Sequence, residues 1–389
     1  MSKIEDLIKQ YCPNGVEWKR LGDLVSYEQP SKYIVKSTNY SDEYEVPVLT
    51  AGQSFVLGYT NEHDDIYNAS PNNPVIIFDD FIGAFHWVDF SFKVKSSAMK
   101  MLRVGCNDTT LRYVYHVMRN IGYTSDEHKR LWISLYSNFQ IPVPPRPVQD
   151  EIVRILDKFT ELEKELEKEL KLRRKQYEFY RDKLLTFGDD VERKKLGEVA
   201  TISRGNGLQK KDFVEKGRLC IHYGQIFMHY SKMGIATSDT LTYIDDAKYE
   251  KNAKALSNDV VMAVTSENVE DICKCVVWEG DEPVAVSGHT AIFHTEMNSK
   301  FLAYWFNTSD FYVQKVRLAH GTNVIEVTPA AMADIILPVP SLTEQERIVK
   351  ILDKFDTLTT SLTSGLPAEI KLRKQQYEYY RDYLFGLLN

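Results

Sequence analysis

The chain has 389 residues, 43% hydrophobic and 26% charged, with a formal net charge of −7. Those proportions are ordinary for a globular protein of two or three domains. They exclude indiscriminate nucleic-acid binding, whose footprint is a basic excess, and no apolar run reaches the ~18 residues of a bilayer span. The acidic excess is uneven, since residues 187–340 hold 16 Lys or Arg against 21 Asp or Glu. The five cysteines (12, 106, 220, 273 and 275) are odd in number and show no framework spacing, which predicts reduced thiols in a cytoplasm.

In chain order, MSKIEDLIKQYC reads as an amphipathic helix; without an apolar h-region it is not a signal peptide. Val16 to Gly22 (VEWKRLG) follows. Short β-rich runs then alternate with turns, among them Pro74 to Phe78. Helix is predicted over Thr110 to Gly122 and strand over Phe139 to Pro142. From Gln149 to Thr186 there is neither Gly nor Pro, and strong helix formers dominate. Its apolar positions step by three and four, with one four-four step at 162–166–170, which is a heptad seam carrying a stutter. At ~1.5 Å per residue this helix is roughly 57 Å long, and it cannot bury its seam alone.

The chain then repeats itself. Val191 to Gly197 (VERKKLG) matches residues 16–22. Pro142-Val143-Pro144, Gln149 and Ile155-Leu156-Asp157-Lys158-Phe159 recur 196 residues later as Pro338-Val339-Pro340, Gln345 and Ile351-Leu352-Asp353-Lys354-Phe355. Lys171-Leu172-Arg173, Gln176-Tyr177-Glu178 and Tyr180-Arg181-Asp182 recur 200 residues later at 371–373, 376–378 and 380–382. Between the copies lie predicted strands at 259–264, 275–278 and 335–338, and a helix over Lys300 to Leu318. Ser341 to Glu344 is a capping box that opens the second long helix. Gly365 and Pro367 predict a kink or split there. The repeat is clear at the edges of each unit and fades inside, so two similar frames carry different contents.

The expected architecture is therefore α+β and pseudo-twofold: two similar α+β domains, 1–148 and 188–340, separated by long helices, 149–187 and 341–389, that form an antiparallel coiled coil. The helices should be held by Phe159, Leu162, Tyr177, Phe355, Leu358 and Tyr377. Charged positions Arg173, Arg174, Lys175, Arg373 and Lys374 should face a partner.

Chemistry-bearing motifs are scarce. No Gly-x-Gly-x-x-Gly follows a strand, and there is no P-loop or metal-nuclease carboxylate pair. Cys220-x-His222 with Cys273-x-Cys275 is the best metal constellation, but it lacks the usual zinc spacing. No metal or cofactor is expected, nor catalysis by this chain. Groups suited to reading nucleic acid are Lys32 and Tyr33, Gln53 and Ser54, and Lys93, Lys95 and Ser96 in the first unit. In the second they are Arg204, Asn206, Gln209, Lys210 and Lys211, then His222, Tyr223, Gln225 and His289. Glycines at 205 and 207 let backbone approach a phosphate, while Arg, Asn, Gln and Lys supply base-edge donors and acceptors.

Two variable units, each followed by a helix with an Ile-Leu-Asp-Lys-Phe entry and a Tyr-Glu-x-Tyr-Arg-Asp exit, resemble the specificity subunits of type I restriction–modification enzymes. The resemblance covers almost the whole chain. It implies that each unit is a target-recognition domain reading one half of a split, asymmetric site on double-stranded DNA. It also implies that the helices act as spacer, that two methyltransferase subunits dock on the frame, and that a translocating restriction endonuclease joins them, with no membrane involved. The alternative is a coiled-coil scaffold, or orphan subunit, that binds the methyltransferase without reading sequence.

Overall fold

The computed structural model describes residues 3–52, 54–123 and 130–389. It divides into two compact units, Met1–Glu163 with Arg373–Asn389, and Lys164–Leu372. The helices used below are α1 (Lys3–Tyr11), α2 (Leu111–Ile121), α3 (Arg146–Leu185), α4 (Ser299–Trp305), α5 (Ser309–Leu318), α6 (Leu342–Thr360) and α7 (Leu366–Gly386).

In the first unit a four-stranded sheet runs in the order Val25–Glu28, Met99–Val104, Val75–Asp79, Phe85–Val88. A three-stranded sheet, Val56–Thr60, Val46–Leu49 and Lys93–Val94, lies beside it in sequence. Strand side chains alternate faces, and both faces of Val75–Asp79 are covered. Ile76 and Phe78 join a core with α2, Trp132, Tyr136 and the helix residues Ile152, Leu156, Tyr377 and Phe385. Val75 and Ile77 join a second core with Leu49, Phe92 and Met101. Thr110 caps α2 by accepting from the Tyr113 N–H, and Gly122, at φ 58°, ends it in the left-handed conformation.

The second unit repeats this logic with other strands. Of its two five-stranded sheets, one contains Val260–Ala263, Cys275–Trp278 and Thr290–Thr295, and the other Arg218–Ile221 and Val284–Val286. Val260 and Met262 face a core with α4, Leu337 and Ile348. Val261 and Ala263 face a core with Trp278, Val286 and Ile221. The helix expected over Lys300 to Leu318 is two helices, because Thr308 stops α4 and caps α5, accepting from the Phe311 N–H. That signal was present in Asn307-Thr308-Ser309-Asp310.

The repeated residues build the junction between each unit and its helix. Glu17–Arg20 pairs antiparallel with Gln140–Val143, and Arg193–Lys195 with Ile336–Pro338. The closing glycine of each heptapeptide leaves no room for a side chain. A Cβ on Gly22 would lie 2.9 Å from Ser137 Cβ, and one on Gly197 3.0 Å from Ala333 Cβ. The repeated glutamine then locks the Pro-x-Pro turn. Gln149 Nε2 donates to Pro144 O (2.7 Å) and Asp108 O (2.8 Å), and its Oε1 accepts from Thr109 Oγ1 (2.9 Å). Gln345 Nε2 donates to Pro340 O (2.8 Å), and its Oε1 accepts from Asn298 N (2.8 Å). Each glutamine thus ties the start of a long helix to the start of the helix that packs beside it.

Within each unit two helix segments stack through the same pair of repeated aromatics. Phe159 lies on Tyr380 with ring centroids 5.1 Å apart, and Phe355 on Tyr180 at 5.7 Å. In the first unit Glu163 also pairs with Lys374 (3.2 Å), so residue numbers rise on one segment as they fall on the other. Tyr377 is buried against α2, and Tyr177 packs near Phe355. Leu162 departs from the expected seam. The buried line of α3 runs Val148, Ile152, Leu156, Thr160 in steps of four and passes Leu162 by, leaving it 41% exposed. The second long helix stops at Thr360 and resumes at Leu366. A Cβ on Gly365 would collide with the Thr357 and Leu358 carbonyls, so only glycine fits that turn.

Gln149 is fully buried, and its removal strands two carbonyls and a hydroxyl. We expect Gln149→Leu to destabilise the fold by about 1–3 kcal/mol, read as a lowered urea midpoint with an unchanged m-value. A midpoint equal to the wild type's would mean that water replaces the glutamine at no cost.

Candidate nucleic-acid interface

The strongest constellation lies in the second unit, where Ala200–Arg204 pairs with Thr290–Thr295 and leads into a turn. Gly205 N donates to Thr290 O (3.0 Å), and a side chain there would collide with the Ser287 carbonyl and Thr290 Oγ1. Gly207 sits at φ 47°. Leu208 then plugs a small core with Cys220, Ile244 and Tyr249. Buried Leu208 holds the turn down, and Gln209, Lys210 and Lys211 stay exposed beyond it. Asp212 accepts from the Gln209 N–H (2.8 Å) and pairs with Lys248 (3.0 Å). The Gln209 N–H first, then Lys248, hold its carboxyl below the usual range.

A ring ladder stands beside this turn. His222 lies 4.5 Å from Tyr223, and Tyr223 lies 4.9 Å from His289, between ring centroids. His222 caps the helical run that starts at Tyr223, its Nδ1 accepting from the Gly224 N–H (3.2 Å). Tyr223 N donates to Ser287 Oγ (2.9 Å), which fixes the ladder to the neighbouring strand end. Burial, then the charge of Lys210 and the proximity of His289, push the His222 pKa below its ordinary value. His222 is therefore neutral at pH 7, an acceptor at Nδ1 with its proton on Nε2. Arg204 is half exposed and donates to Gly288 O (3.2 Å) and Glu326 Oε1 (2.8 Å). An exposed pair of this kind is worth about 0–1 kcal/mol, so a phosphate or a guanine edge can displace Glu326 at little cost.

Arg204, Lys210, Tyr223 and His289 thus form one basic, aromatic surface, while His222, expected among the readers, is only 6% exposed and serves as a helix cap. Two further expected readers have structural work too. The Asn206 amide donates to Lys251 O (3.2 Å) and accepts from Ala253 N (2.6 Å), stitching the turn to residues 251–253. Gln225 accepts from His222 N (3.0 Å) and donates to Thr242 Oγ1 (3.1 Å).

In the first unit, Val46–Leu49 and Lys93–Val94 run parallel, so the loops after them leave at the same end. Ser54, Lys95 and Ser96 are exposed there, and Lys95 lies 5.8 Å from the Tyr40 ring. His86 Nε2 meets Gly52 O at 2.9 Å and stacks on Phe55, which steadies the loop. Gln53 lies outside the described residues. Lys93 is removed from the expected surface. It is 1% exposed, donates to Asp64 O (2.8 Å) and pairs with Glu62 (3.2 Å). This short strand is buried on both faces, Lys93 as well as Val94, while Lys95 escapes after the strand ends. Tyr33 is also committed, donating to Glu28 (2.9 Å) and packing edge-on against Tyr67; burial, then Glu28, pushes its pKa up to about 12. Exposed Lys32 precedes the Ile34–Val94 bridge, away from the loop end where Lys95 emerges.

The cysteine–histidine constellation does not assemble. Cys220 donates to Thr242 in one core, while Cys273 and Cys275 are buried in another with high pKa values caused by burial. Among the described residues no group of three or more His, Cys, Asp or Glu side chains is placed to hold a metal ion. Nor, among them, is any helix long and apolar enough to cross a membrane.

On the long helices Arg173 is drawn to Glu169 (3.4 Å) and Gln176 (2.8 Å), and Arg373 to Gln376 (3.0 Å), while Arg174 and Lys175 are exposed. Sequence reasoning missed an apolar pair repeated in both copies. Leu172 and Phe179 are 57% and 61% exposed, and Leu372 and Tyr379 are 58% and 66% exposed. Each pair is spaced i, i+7 and so shares a helix face. The repeat contained them, but the heptad reading had no means to separate an outward apolar face from the inward one.

The family model "Type I restriction modification DNA specificity domain" matches the chain twice, over residues 13–172 and 188–372. The chain belongs to that family. It is 41% identical over 403 residues to the Escherichia coli type I restriction enzyme EcoR124I/EcoR124II specificity subunit, covering 99% of this chain and 98% of that one. A putative type I restriction enzyme specificity subunit from Haemophilus influenzae is 27% identical, over 95% of each chain. In fold the chain is similar to the S subunit of the type I restriction–modification system from M. genitalium (TM-score 0.51, 13% identity, 96% of each chain). It is also similar to a chain solved in work on assembly and conformational transition of the type I R-M system (TM-score 0.57, 14% identity, 96% and 98% coverage).

The depressed His222 pKa has a consequence for stability. The unfolded chain takes up this proton near the ordinary value of about 6.5, before the folded chain does, so acid favours unfolding. The contribution is complete above pH ~7 and is lost as pH falls through ~6.5. We expect the urea midpoint to drop between pH 7.5 and 5.5, and to drop less in His222→Asn, which keeps a helix cap. Equal drops in the two proteins would show that His222 charges freely in the folded state.

Proposed function

We propose that this chain is a non-catalytic specificity subunit that reads a two-part, asymmetric site on double-stranded DNA, one half with each unit. The observation that carries this reading is the repetition of one frame around two different interiors. Both strand pairs, both glutamines and both Phe–Tyr stacks recur. Yet one unit presents Ser54, Lys95 and Ser96, and the other Arg204, Lys210, Tyr223 and His289. Two rigid readers on a helical spacer impose a fixed gap between half-sites, as with any two-domain reader of B-DNA. In this reading the helices are an antiparallel coiled coil that sets the gap, and the chain itself makes and breaks no bond. Methyltransferase subunits, two per chain, and an endonuclease–translocase supply the chemistry, in the cytoplasm.

Charge separates affinity from specificity. The second unit is acidic overall, so its few exposed cations give a modest phosphate term, and assembly with partners must supply the rest of the grip. Lys210→Ala with Lys211→Ala should weaken binding to all sequences and reduce the salt slope by about 2. Arg204→Met should instead relax one base position, in one half-site only, by about 1–3 kcal/mol. A salt titration of DNA binding by the assembled complex reads the first effect, and methylome sequencing reads the second. Relaxation of both halves together would end the one-unit, one-half reading, and an unchanged motif on deletion of the gene would leave only the scaffold.

The exposed pairs Leu172–Phe179 and Leu372–Tyr379, with Arg173, Arg174, Lys175, Arg373 and Lys374 around them, suit one kind of partner bound twice. Substituting Leu172→Glu and Leu372→Glu alters exposed positions, where changes stay within about 0.5 kcal/mol. We expect the double variant to melt like the wild type and to lose co-purification with the methyltransferase. Intact co-purification would place the docking face elsewhere.

A further inference from the structure

Each unit carries one more shared device, and it is not part of the legible repeat. In the first unit Arg112 and His116 of α2 both reach Asp157, the aspartate of Ile-Leu-Asp-Lys-Phe. Arg112 Nε lies 2.7 Å and His116 Nε2 2.7 Å from the same Oδ1. In the second unit Lys300 and Tyr304 of α4 reach Asp353, the matching aspartate. The Tyr304 hydroxyl donates to Oδ1 at 2.7 Å, and Lys300 Nζ lies 3.4 Å from Oδ2 while also pairing with Glu279 Oε1 at 2.9 Å. Both are a cation and a hydrogen-bond donor spaced i, i+4, hence on one helix face, closing on one carboxylate of the long helix. The residue types differ, Arg and His against Lys and Tyr, so sequence comparison of the two halves hides the correspondence. His116 and Tyr304 are fully buried, and burial pushes the His116 pKa down and the Tyr304 pKa up.

Apolar packing between a reader and its helix is non-directional. It fixes their separation well and their mutual rotation poorly. A carboxylate held by two donors at set positions is directional. Partly buried ion pairs add little net stability but favour one arrangement over near alternatives.

We propose that Arg112–His116 on Asp157 and Lys300–Tyr304 on Asp353 are orientation clamps that fix the angle of each reader on its helix and so the register of the gap between half-sites. This rests on the two-part reading above. The four donor residues are positioning residues, since none of them belongs to the exposed reading surface.

The test uses the full chain in its methyltransferase complex, with methylome sequencing as the readout. Lys300→Met with Tyr304→Phe should leave both half-site sequences unchanged. It should methylate sites whose gap is one base pair longer or shorter at least tenfold more often than the wild type does. Lys300→Arg should keep the wild-type gap. Asp353→Asn, which keeps packing and the Tyr304 hydrogen bond, should broaden the gap in the same direction, and it decides the matter if the double variant fails to fold. A strict gap in folded variants, or relaxed half-site bases at a strict gap, would overturn the clamp alone. A wild-type profile without any two-part motif would overturn the two-part reading and the clamp with it.

Discussion

A 40-residue helix with one apolar face must bury that face along its length, and this requirement organises the molecule. No single unit covers it. The first part of α3 packs into the core of one unit with Ile152 and Leu156, and the last part into the core of the other with Leu185. The second long helix is used the same way, Ile348 and Leu352 in one core and Tyr377 and Phe385 in the other. The first unit is therefore completed by a segment far away in sequence, Arg373–Asn389, while the second is the continuous stretch Lys164–Leu372 with parts of both long helices at its ends.

That construction explains why the repeat is confined to certain places. Wherever a unit meets its helices, the backbone needs partners away from water, and a buried carbonyl left alone is costly. Gln149 and Gln345 meet that need, as do the strand pairs at 17–20 and 193–195. Glycine at 22 and 197 permits the close approach this demands. Interiors between these junctions are free to differ, provided that each central strand stays covered on both faces. The junction is a constraint on shape, and the proposed reading surfaces are loops hung from it.

The proposed reading surface of the second unit follows the same economy. Leu208 below, the Asn206 stitch at one side and the His222 cap at the other hold a turn whose outer groups, Lys210 and Lys211, have no comparable anchor. Rigid support beneath exposed donors is what a base reader needs, because a donor that wanders discriminates little. The neutral His222, kept uncharged by burial, backs the Tyr223 ring at 4.5 Å.

Composition, the duplicated motifs and the helix-forming tracts were legible directly, because helix periodicity, capping residues and glycine–proline breaks are local signals. They determined two α+β units, two long helices, a break in the second near residues 364–367 and the family, and the structure sets that break between Thr360 and Leu366. The turn at 204–211 was legible as a glycine-containing cluster of polar and basic groups. What the tertiary structure alone decided was which side chains remain at the surface. Lys93 and Lys95 differ by two positions in sequence, and only the end of a strand separates a buried ion pair from an exposed cation. Asn206 and Arg204 look equally suited to a base edge until residues 251–253 arrive from 45 residues away to occupy the amide. Phe159 and Leu162 were expected in one seam, yet Phe159 stacks on Tyr380 while Leu162 stays exposed, because burial is set by the elements packed across from them. The correspondence of Arg112–His116 with Lys300–Tyr304 is invisible to residue matching, since geometry selects for a cation and a donor on one helix face, and several residue types satisfy it.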